Sequence, residues 1–213
     1  MCNWCSNAIT FASKDFNALK ELHNHIYAIY KSHDNTVAGL LASYAYTEHD
    51  VRLLSNRTDY FDWVDNRVSQ KGDVFFFEAF TVSRWTPNME ALDVLIHEKY
   101  KGKIKLYYQS EEEGCEIYVY RDETCSWYPE RYKCDYSQDE DGDSGCEYFN
   151  TYAELVDFVK ANFPKAKGVS PFCSLSENER AVCDAYEGED DFYFNIYAFR
   201  PDAKGYQAYE EVA

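Results

Sequence analysis

The stretch from Phe75 to Tyr120 constrains the fold most, because it is typical of a strand, a helix and a β-hairpin in direct succession. The run FFFEAFTV is rich in aromatic and β-branched residues, which favour strands. Pro87 suits the first turn of the helical segment MEALDVLIHEKY, where a missing N–H costs nothing, and Gly102 marks the end of that helix. The strand KIKLYYQS follows, and a turn at Gly114 leads into EIYVY. These residues predict a mixed α+β fold with an antiparallel sheet.

The order of the elements before Gly114 narrows this prediction. Residues 5–110 predict the succession β-α-(short helices)-β-β-α-β. This is the split βαβ order of a ferredoxin-like sandwich, in which the helices cover one face of an antiparallel sheet. Asp15 and Thr47 are predicted to cap two of the helices, because their side-chain oxygens accept an N–H that the helix itself leaves unpaired.

The second half of the chain continues without a linker, so we predict one elaborated domain. Residues 1–134 form its ferredoxin-like core, with a short helical insertion at about 36–54 and a β-meander extension. Residues 135–213 form an acidic C-terminal extension of helices and strands, packed on the same domain. Within it, the stretch from Asp135 to Glu147 is predicted to be a polar loop, and Thr151 to open an amphipathic helix.

The charge of the chain is placed unevenly. The formal net charge is −17, of which residues 1–106 carry −1 and residues 107–213 carry −16. An acidic field of this kind repels phosphates, so direct binding of DNA or RNA is not expected. The excess charge is explained either by a solvated acidic face or by attraction of a partner with a basic surface, including imitation of DNA. The candidate acidic surface comprises Asp139, Glu140, Asp141, Asp143, Glu189, Asp190 and Asp191.

The sequence contains no specific motif for a metal site or a cofactor. Of the eight cysteines, only Cys2 and Cys5 form a C-x-x-C, so they are weak candidates for a metal or redox site. The alternative is a buried strand entrance, since a free cysteine behaves as a small hydrophobe. The run DEDGDSGCE lacks the glycine and glutamate that an EF-hand loop requires, which leaves a solvated loop or weak divalent binding.

The location of the protein is predicted from two features of the sequence. No apolar run approaches the roughly 18 residues of a membrane helix. The opening MCNWCSNAIT has neither a basic region nor an apolar core, so it is not typical of a signal peptide. We expect a soluble protein in the bacterial cytoplasm, with reduced thiols, no cofactor and no membrane contact.

A candidate binding site is predicted where the ends of neighbouring elements meet. Carboxylates beside an aromatic ring and a thiol suit a small ligand or a peptide. The alternative is purely structural, with a tryptophan at the sheet edge, a proline at a helix start and a glycine in a turn. Cys115 is a poor nucleophile here, because catalysis needs a lowered thiol pKa and neighbouring carboxylates raise it. The candidate residues are Trp85, Pro87, Glu111, Glu112, Glu113, Gly114 and Cys115.

Several of these segments resemble the YubB ferredoxin-like family of plasmid and phage proteins. NWCSNAITF is similar to the family's opening N-W-C-x-N-x-[LIV]-x-[FV], and FEAFTVSRWTPNMEAL to its strand ending in T-x-W-[ST]-P. YYQSEEEGCEIYVYRDE and SWYPERYKCDY resemble the segments Y-x-x-E-E-P-G-C and F-P-[ED]-R-Y. Cys2 and Glu113 stand where the family has proline, and the spacing from Thr81 to Trp85 is longer by two residues. The resemblance covers residues 3–134 in islands, and it implies a ferredoxin-like fold and an origin in mobile elements.

Two functional hypotheses follow. The first is an accessory protein of a mobile element that acts by protein–protein interaction through its acidic surface. It would bind a partner with a basic surface, for example to inhibit a nucleic-acid-binding protein of the host or the element. The alternative is a small-ligand-binding protein or an enzyme that uses a pocket near Trp85, Glu112 and Cys115.

Overall fold

Two compact units make up the chain. In the computed structural model, residues 4–55, 59–84, 86–87, 89–137, 144–189 and 192–202 are described. The first unit comprises Met1–Tyr128 and Pro201–Ala213, and the second comprises Pro129–Arg200. The division therefore falls after Tyr128 and not at the predicted boundary after Cys134, because the strand that contains Cys134 pairs only with strands of the second unit.

The first unit contains an antiparallel sheet and four helices among its described residues. The strand order is β10-β6-β5-β1-β4-β2, and β3 pairs with β4. The predicted class, a mixed α+β fold with antiparallel strands, is confirmed. The elements are β1 (Trp4–Ser13), α1 (Phe16–Tyr30), α2 (Val37–Ser43), α3 (Glu48–Leu54), β2 (Tyr60–Val64), β3 (Ser69–Lys71), β4 (Val74–Arg84), α4 (Glu90–Tyr100), β5 (Ile104–Glu112), β6 (Ile117–Arg121) and β10 (Arg200–Pro201).

The core of this unit lies between the sheet and its helices. In the three central strands, Ile9 is opposite both Ala79 and Tyr108, and the next apolar row is formed by Phe11 with its two partners. These side chains belong to the same buried cluster as the apolar stripes of α1, α2 and α4. Because side chains alternate across a strand, only one face of the sheet receives this core.

Helix caps explain where several helices begin. Ala18 N donates to Asp15 Oδ1 over 3.1 Å, and Thr47 forms a capping box with Asp50, so both predicted caps are confirmed. By contrast, α4 begins at Glu90 and not at Pro87. Its N-cap residue is Met89, whose side chain makes no capping hydrogen bond.

A loop after β6 covers part of the opposite face of the sheet. Trp127 lies against Phe76, with ring centroids 4.8 Å apart, and the Tyr128 hydroxyl is 2.9 Å from Thr10 Oγ. The buried Asp122 carboxylate organises this loop, since it accepts from the backbone N–H of Trp127 at 2.6 Å and of Tyr128 at 2.9 Å. One carboxylate therefore holds the aromatic cover in place.

We expect Asp122→Asn to lower the free energy of unfolding near neutral pH by about 1.5–3 kcal/mol, the usual contribution of hydrogen bonds to a charged group. Burial raises the pKa of Asp122, but hydrogen bonds from Tyr128, Trp127 and Thr124 outweigh it and lower the pKa overall. This stabilisation is complete above the pKa of the unfolded chain and is lost as pH falls through the lower folded value. Urea unfolding between pH 7 and pH 2 should give a flatter curve for the variant, and parallel curves would contradict the assignment.

A buried ionic network ties α4 to the sheet. Arg121 donates to both carboxylate oxygens of Asp93, at 2.6 and 2.7 Å. The guanidinium also lies over the ring of Tyr108, 5.1 Å from its centroid, and the Tyr108 hydroxyl donates to Asp202. The network thus joins the helix, two strands and the segment after β10.

The second unit is a smaller α+β layer. Its described strands form a sheet of order β8-β7-β9, which packs against α5 and α6 around a core rich in aromatic rings. Thr151 forms a capping box with Glu154 at the start of α5, as predicted. The elements are β7 (Tyr132–Ser137), β8 (Ser144–Phe149), α5 (Tyr152–Asn162), α6 (Leu175–Ala185) and β9 (Phe194–Ala198).

The stretch from Asp135 to Glu147 is not one polar loop, and that prediction was wrong at both ends. Residues 135–137 continue β7 and residues 144–147 begin β8, while residues 138–143 lie outside the described residues. Tyr136 explains the strand: its ring enters the core and passes over Gly145, where a Cβ atom would collide with it. The acidic composition of this stretch conceals the alternation of Cys134 and Tyr136, whose side chains are buried in the second core.

Candidate functional site

The helix-facing surface of the first sheet changes from apolar to polar along its length. Beyond the row that contains Ile9, register places Asn7 between Thr81 and Ser110. Two residues further along β1, Cys5 is opposite Ser83. On β5, Glu112 follows Glu111, the last residue of that strand that pairs with β1. We call these side chains the polar cluster: Cys5, Asn7, Thr81, Ser83, Ser110 and Glu112.

Every member of the polar cluster is buried, and Glu112 is the most exposed of the six at 4 %. Asn7 is its centre, since its Nδ2 lies 3.1 Å from Ser83 Oγ, 3.2 Å from the Cys5 carbonyl and 3.3 Å from the Thr81 carbonyl. The Cys5 thiol donates to Asn7 Oδ1 at 3.5 Å. Most of the polar cluster is thus satisfied internally, as buried polar groups require.

The segment between β4 and α4 folds back over this end of the sheet. Ser83 Oγ donates to the carbonyl of Thr86 over 2.9 Å, which brings the chain before Pro87 against the polar cluster. Pro87 itself is partly exposed. Trp85, the aromatic residue predicted for this site, lies outside the described residues.

Two buried oxygens of the polar cluster have no hydrogen-bond partner in the part of the chain that the structure describes. Glu112 Oε1 accepts from the N–H of Gly114 at 3.1 Å, whereas Glu112 Oε2 has no partner among the described residues. The hydroxyl of Ser110, on the same face of β5, is equally unpartnered in that part of the chain. A buried carboxylate left in this state costs at least about 1–3 kcal/mol. Such groups indicate a place where water or a ligand completes the structure.

The electrostatic environment of the polar cluster is acidic. Burial raises the pKa of the Cys5 thiol to about 12; a hydrogen bond with Ser83 opposes the shift, and the carboxylates of Glu112, Glu111 and Asp59 add to it. Cys5 therefore stays protonated at neutral pH, which is the wrong state for a nucleophile or a metal ligand. Cys2, its predicted partner in a C-x-x-C site, lies outside the described residues.

The structure separates the carboxylates that the sequence placed together. Glu112 enters the polar cluster, but the side chain of Glu111 is on the other face of the sheet, where it is half-buried. Glu113 and Cys115 are exposed in a short 3-10 turn, and Gly114 contributes only its backbone N–H to Glu112. The structure therefore brings Glu112 and the Gly114 backbone together, and it places Glu111, Glu113 and Cys115 outside the polar cluster.

Sequence reasoning missed Asn7, Thr81, Ser83 and Ser110 as parts of the site. A signal was present: Cys5-x-Asn7, Thr81-x-Ser83 and Ser110-x-Glu112 are three polar pairs, each with the parity of the buried face of its strand. Polar side chains that extend an apolar face must be paired when buried. Three such pairs at the same end of three adjacent strands predict one polar cluster, once the strand order is known.

The predicted acidic surface is mostly beyond what the structure describes. Of its seven residues only Glu189 is described, and its exposed carboxylate pairs with Lys165. Asp139, Glu140, Asp141, Asp143, Asp190 and Asp191 lie outside the described residues. Interaction with a basic partner through this surface stays a prediction.

A depression lies between α3 and α4, away from the polar cluster. It has a volume of about 440 Å³, and Leu53, Leu54 and Val94 contribute apolar walls. Its polar groups are paired, since the Tyr46 hydroxyl donates to Glu98 at 2.5 Å and Asp50 caps α3. This depression therefore lacks the unsatisfied groups that mark the polar cluster.

Comparisons with known proteins add little. No protein-family model matches the chain, and no curated protein matches it. One solved structure, named as a candidate glycine cleavage system transcriptional repressor, is 11% identical, and the match covers 91% of this chain and 96% of that one. The TM-score is 0.28, which is too low to support an argument. No helix among the described residues is long and apolar enough to cross a membrane.

Proposed function

We propose that this protein binds a small polar ligand at the polar cluster. The observation that carries the proposal is a pair of buried oxygens, Glu112 Oε2 and Ser110 Oγ, that have no partner among the described residues, although Asn7 and Ser83 beside them are hydrogen-bonded. Native proteins leave few such groups, and a complementary ligand recovers the energy that their isolation costs.

Binding is better supported than catalysis. The sulfur of the polar cluster is a protonated thiol whose hydrogen is committed to Asn7. A nucleophile requires an adjacent base or a lowered pKa, and Cys5 has the opposite environment. Asn7 and Ser83 are likewise held by hydrogen bonds inside the polar cluster. These fixed groups suit a rigid receptor.

The ferredoxin-like assignment is part of this proposal. The strand order β5-β1-β4-β2, with α1 and α4 packed into one core, is the arrangement expected for a split βαβ sandwich. Membership of the YubB ferredoxin-like family is proposed on the sequence resemblance alone, and Cys5 and Asn7, the C-x-N of its opening motif, are both in the polar cluster. The origin in a mobile element rests on the sequence resemblance alone.

Glu112→Gln is expected to weaken ligand binding by about 10–100-fold, because a charged hydrogen bond contributes about 1.5–3 kcal/mol. The same change should raise the stability of the ligand-free protein, since an amide is cheaper to bury unpaired than a carboxylate. A thermal-shift screen of polar metabolites, followed by titration calorimetry of the hits, measures both effects.

Glu113→Gln is the matched control, because Glu113 is adjacent in sequence and exposed. It should leave both affinity and ligand-free stability unchanged. If Glu112→Gln bound every hit as tightly as the wild type does, the ligand would bind elsewhere and the proposal would be rejected.

A further inference from the structure

We infer that the group received by the polar cluster is a primary ammonium, so that the ligand is a small organic amine. The inference rests on the proposed function and specifies the chemistry of that same site. Three properties of the polar cluster lead to it: the sign of its charge, the kind of hydrogen-bonding group left open, and the single carboxylate oxygen on offer.

The charge around the polar cluster is negative. The carboxylates of Glu112, Glu111 and Asp59 all raise the pKa of the Cys5 thiol, and Glu112 lies in the polar cluster itself. Glu112 and Asp59 are at most 4 % exposed, so water screens this charge weakly. A cation entering here is stabilised, and an anion is repelled.

The open carboxylate oxygen is an acceptor. Three donors of the polar cluster are already used: Asn7 Nδ2 faces three oxygens, the Cys5 thiol faces Asn7, and the Ser83 hydroxyl faces the Thr86 carbonyl. As a carboxylate oxygen Glu112 Oε2 accepts only, whereas the Ser110 hydroxyl can accept or donate. A ligand must therefore bring a hydrogen-bond donor for Glu112.

The number of free carboxylate oxygens favours an ammonium over a guanidinium. A guanidinium binds best as a fork on two carboxylate oxygens, but Glu112 Oε1 is occupied by the N–H of Gly114. An ammonium, a compact charge with three donors, is held by a single carboxylate oxygen, and Glu112 Oε2 supplies one.

A metal cation fits less well. Its binding requires several ligands around one point, and the described residues contain no group of three or more His, Cys, Asp or Glu side chains placed to hold an ion. The nearest thiol is protonated at neutral pH. An ammonium makes its own hydrogen bonds and needs no such cage.

The test is an NMR titration of the whole ¹⁵N-labelled chain with four probes at matched ionic strength: ethylammonium, guanidinium, ethanol and acetate. The reporter is the backbone N–H of Gly114, which donates to Glu112. Ethylammonium should shift this resonance at a concentration at least tenfold lower than guanidinium, and ethanol and acetate should leave it in place. Glu112→Gln should lose the ethylammonium response, while Glu113→Gln keeps it, and both spectra report whether the variant is folded.

Other outcomes are separable. If guanidinium, ethanol or acetate shifted Gly114 more strongly than ethylammonium, or if Mg²⁺ or K⁺ displaced it, the ammonium inference would be overturned and the binding site would stand. If all amines were inert but uncharged metabolites bound with dependence on Glu112, the ammonium inference would again be overturned and the binding site would again stand. If neither the probes nor the metabolite screen perturbed Gly114, the inference and the proposed function would both fail.

Discussion

Arg121→Met is expected to lower the free energy of unfolding by about 3–5 kcal/mol, the usual result of removing one partner from a buried ion pair. Arg121 and Asp93 hold each other through two hydrogen bonds, and their side chains are only 12% and 9% exposed. The variant keeps most of the apolar stem but deprives a buried carboxylate of its charged partner. Urea unfolding followed by tryptophan fluorescence measures the loss, since all four tryptophans lie in residues 1–128.

A double substitution separates the ionic contribution from packing. Asp93→Leu combined with Arg121→Met removes both charges, and we expect it to recover most of the stability that Arg121→Met loses, because a well-packed apolar pair often replaces a buried ion pair at little cost. Arg52→Met is the surface control, since the Arg52–Glu48 pair is 76% and 81% exposed, and its removal should change nothing measurable. A double variant as unstable as the single one would show that the geometry of the pair, and not its charge, holds α4 in place.

Local signals predicted much of the first unit. Asp15 and Thr47 cap helices because their short side chains accept a hydrogen bond from an N–H of the first helical turn. This interaction depends only on residues that are close in sequence, so the sequence predicts it. The start of α4 was less predictable. Pro87 is compatible with a helix start, but the Thr86 carbonyl before it accepts a hydrogen bond from Ser83 of β4, and α4 begins only at Glu90. This contact depends on tertiary packing, which local propensity does not contain.

The boundary between the units could not be read from composition. The alternation of Cys134 and Tyr136 was concealed by acidic neighbours, so the predicted boundary after residue 134 falls inside β7 and the predicted loop is too long. Which sheet a strand joins depends on partners far away in sequence: β7 pairs with β9, about sixty residues later. The acidic charge and the turn-rich composition of this stretch indicate the boundary less well than the burial of Cys134 and Tyr136 does.

The candidate site shows the same limit. Glu112 was predicted, because a carboxylate beside a turn glycine at a strand end is noticeable in the sequence. Asn7, Ser83 and Ser110 were not, because each is an ordinary polar residue until the register aligns them across three strands. The sequence shows that these residues alternate in phase with the apolar residues of their strands, and so lie on the same face. That they form one cluster follows only when the strand order is known.

Phe163→Ala is expected to destabilise the second unit by about 3–5 kcal/mol, the range for removing a large aromatic side chain from a core. Phe163 is 2% exposed, and its ring contacts those of Tyr136 and Phe194, with centroids 5.5 and 4.8 Å away. The substitution therefore leaves a cavity between α5 and the sheet that these rings cannot easily refill. Since residues 129–200 contain no tryptophan, fluorescence of the kind used for Arg121 does not report on this core.

Hydrogen exchange of peptides from α5 and β7 is the suitable measurement. Protection there should fall by between roughly a hundredfold and a few thousandfold, the equivalent of 3–5 kcal/mol when exchange follows opening of the unit. Phe172→Ala is the matched control, since Phe172 is a phenylalanine of the same unit that is 97% exposed, and protection should not change. Peptides from α1 show how far the damage spreads: unchanged protection there means that the two units open separately, as their distinct cores imply. Equal protection of α5 in the Phe163 variant and the wild type would contradict the central position of this ring in the second core.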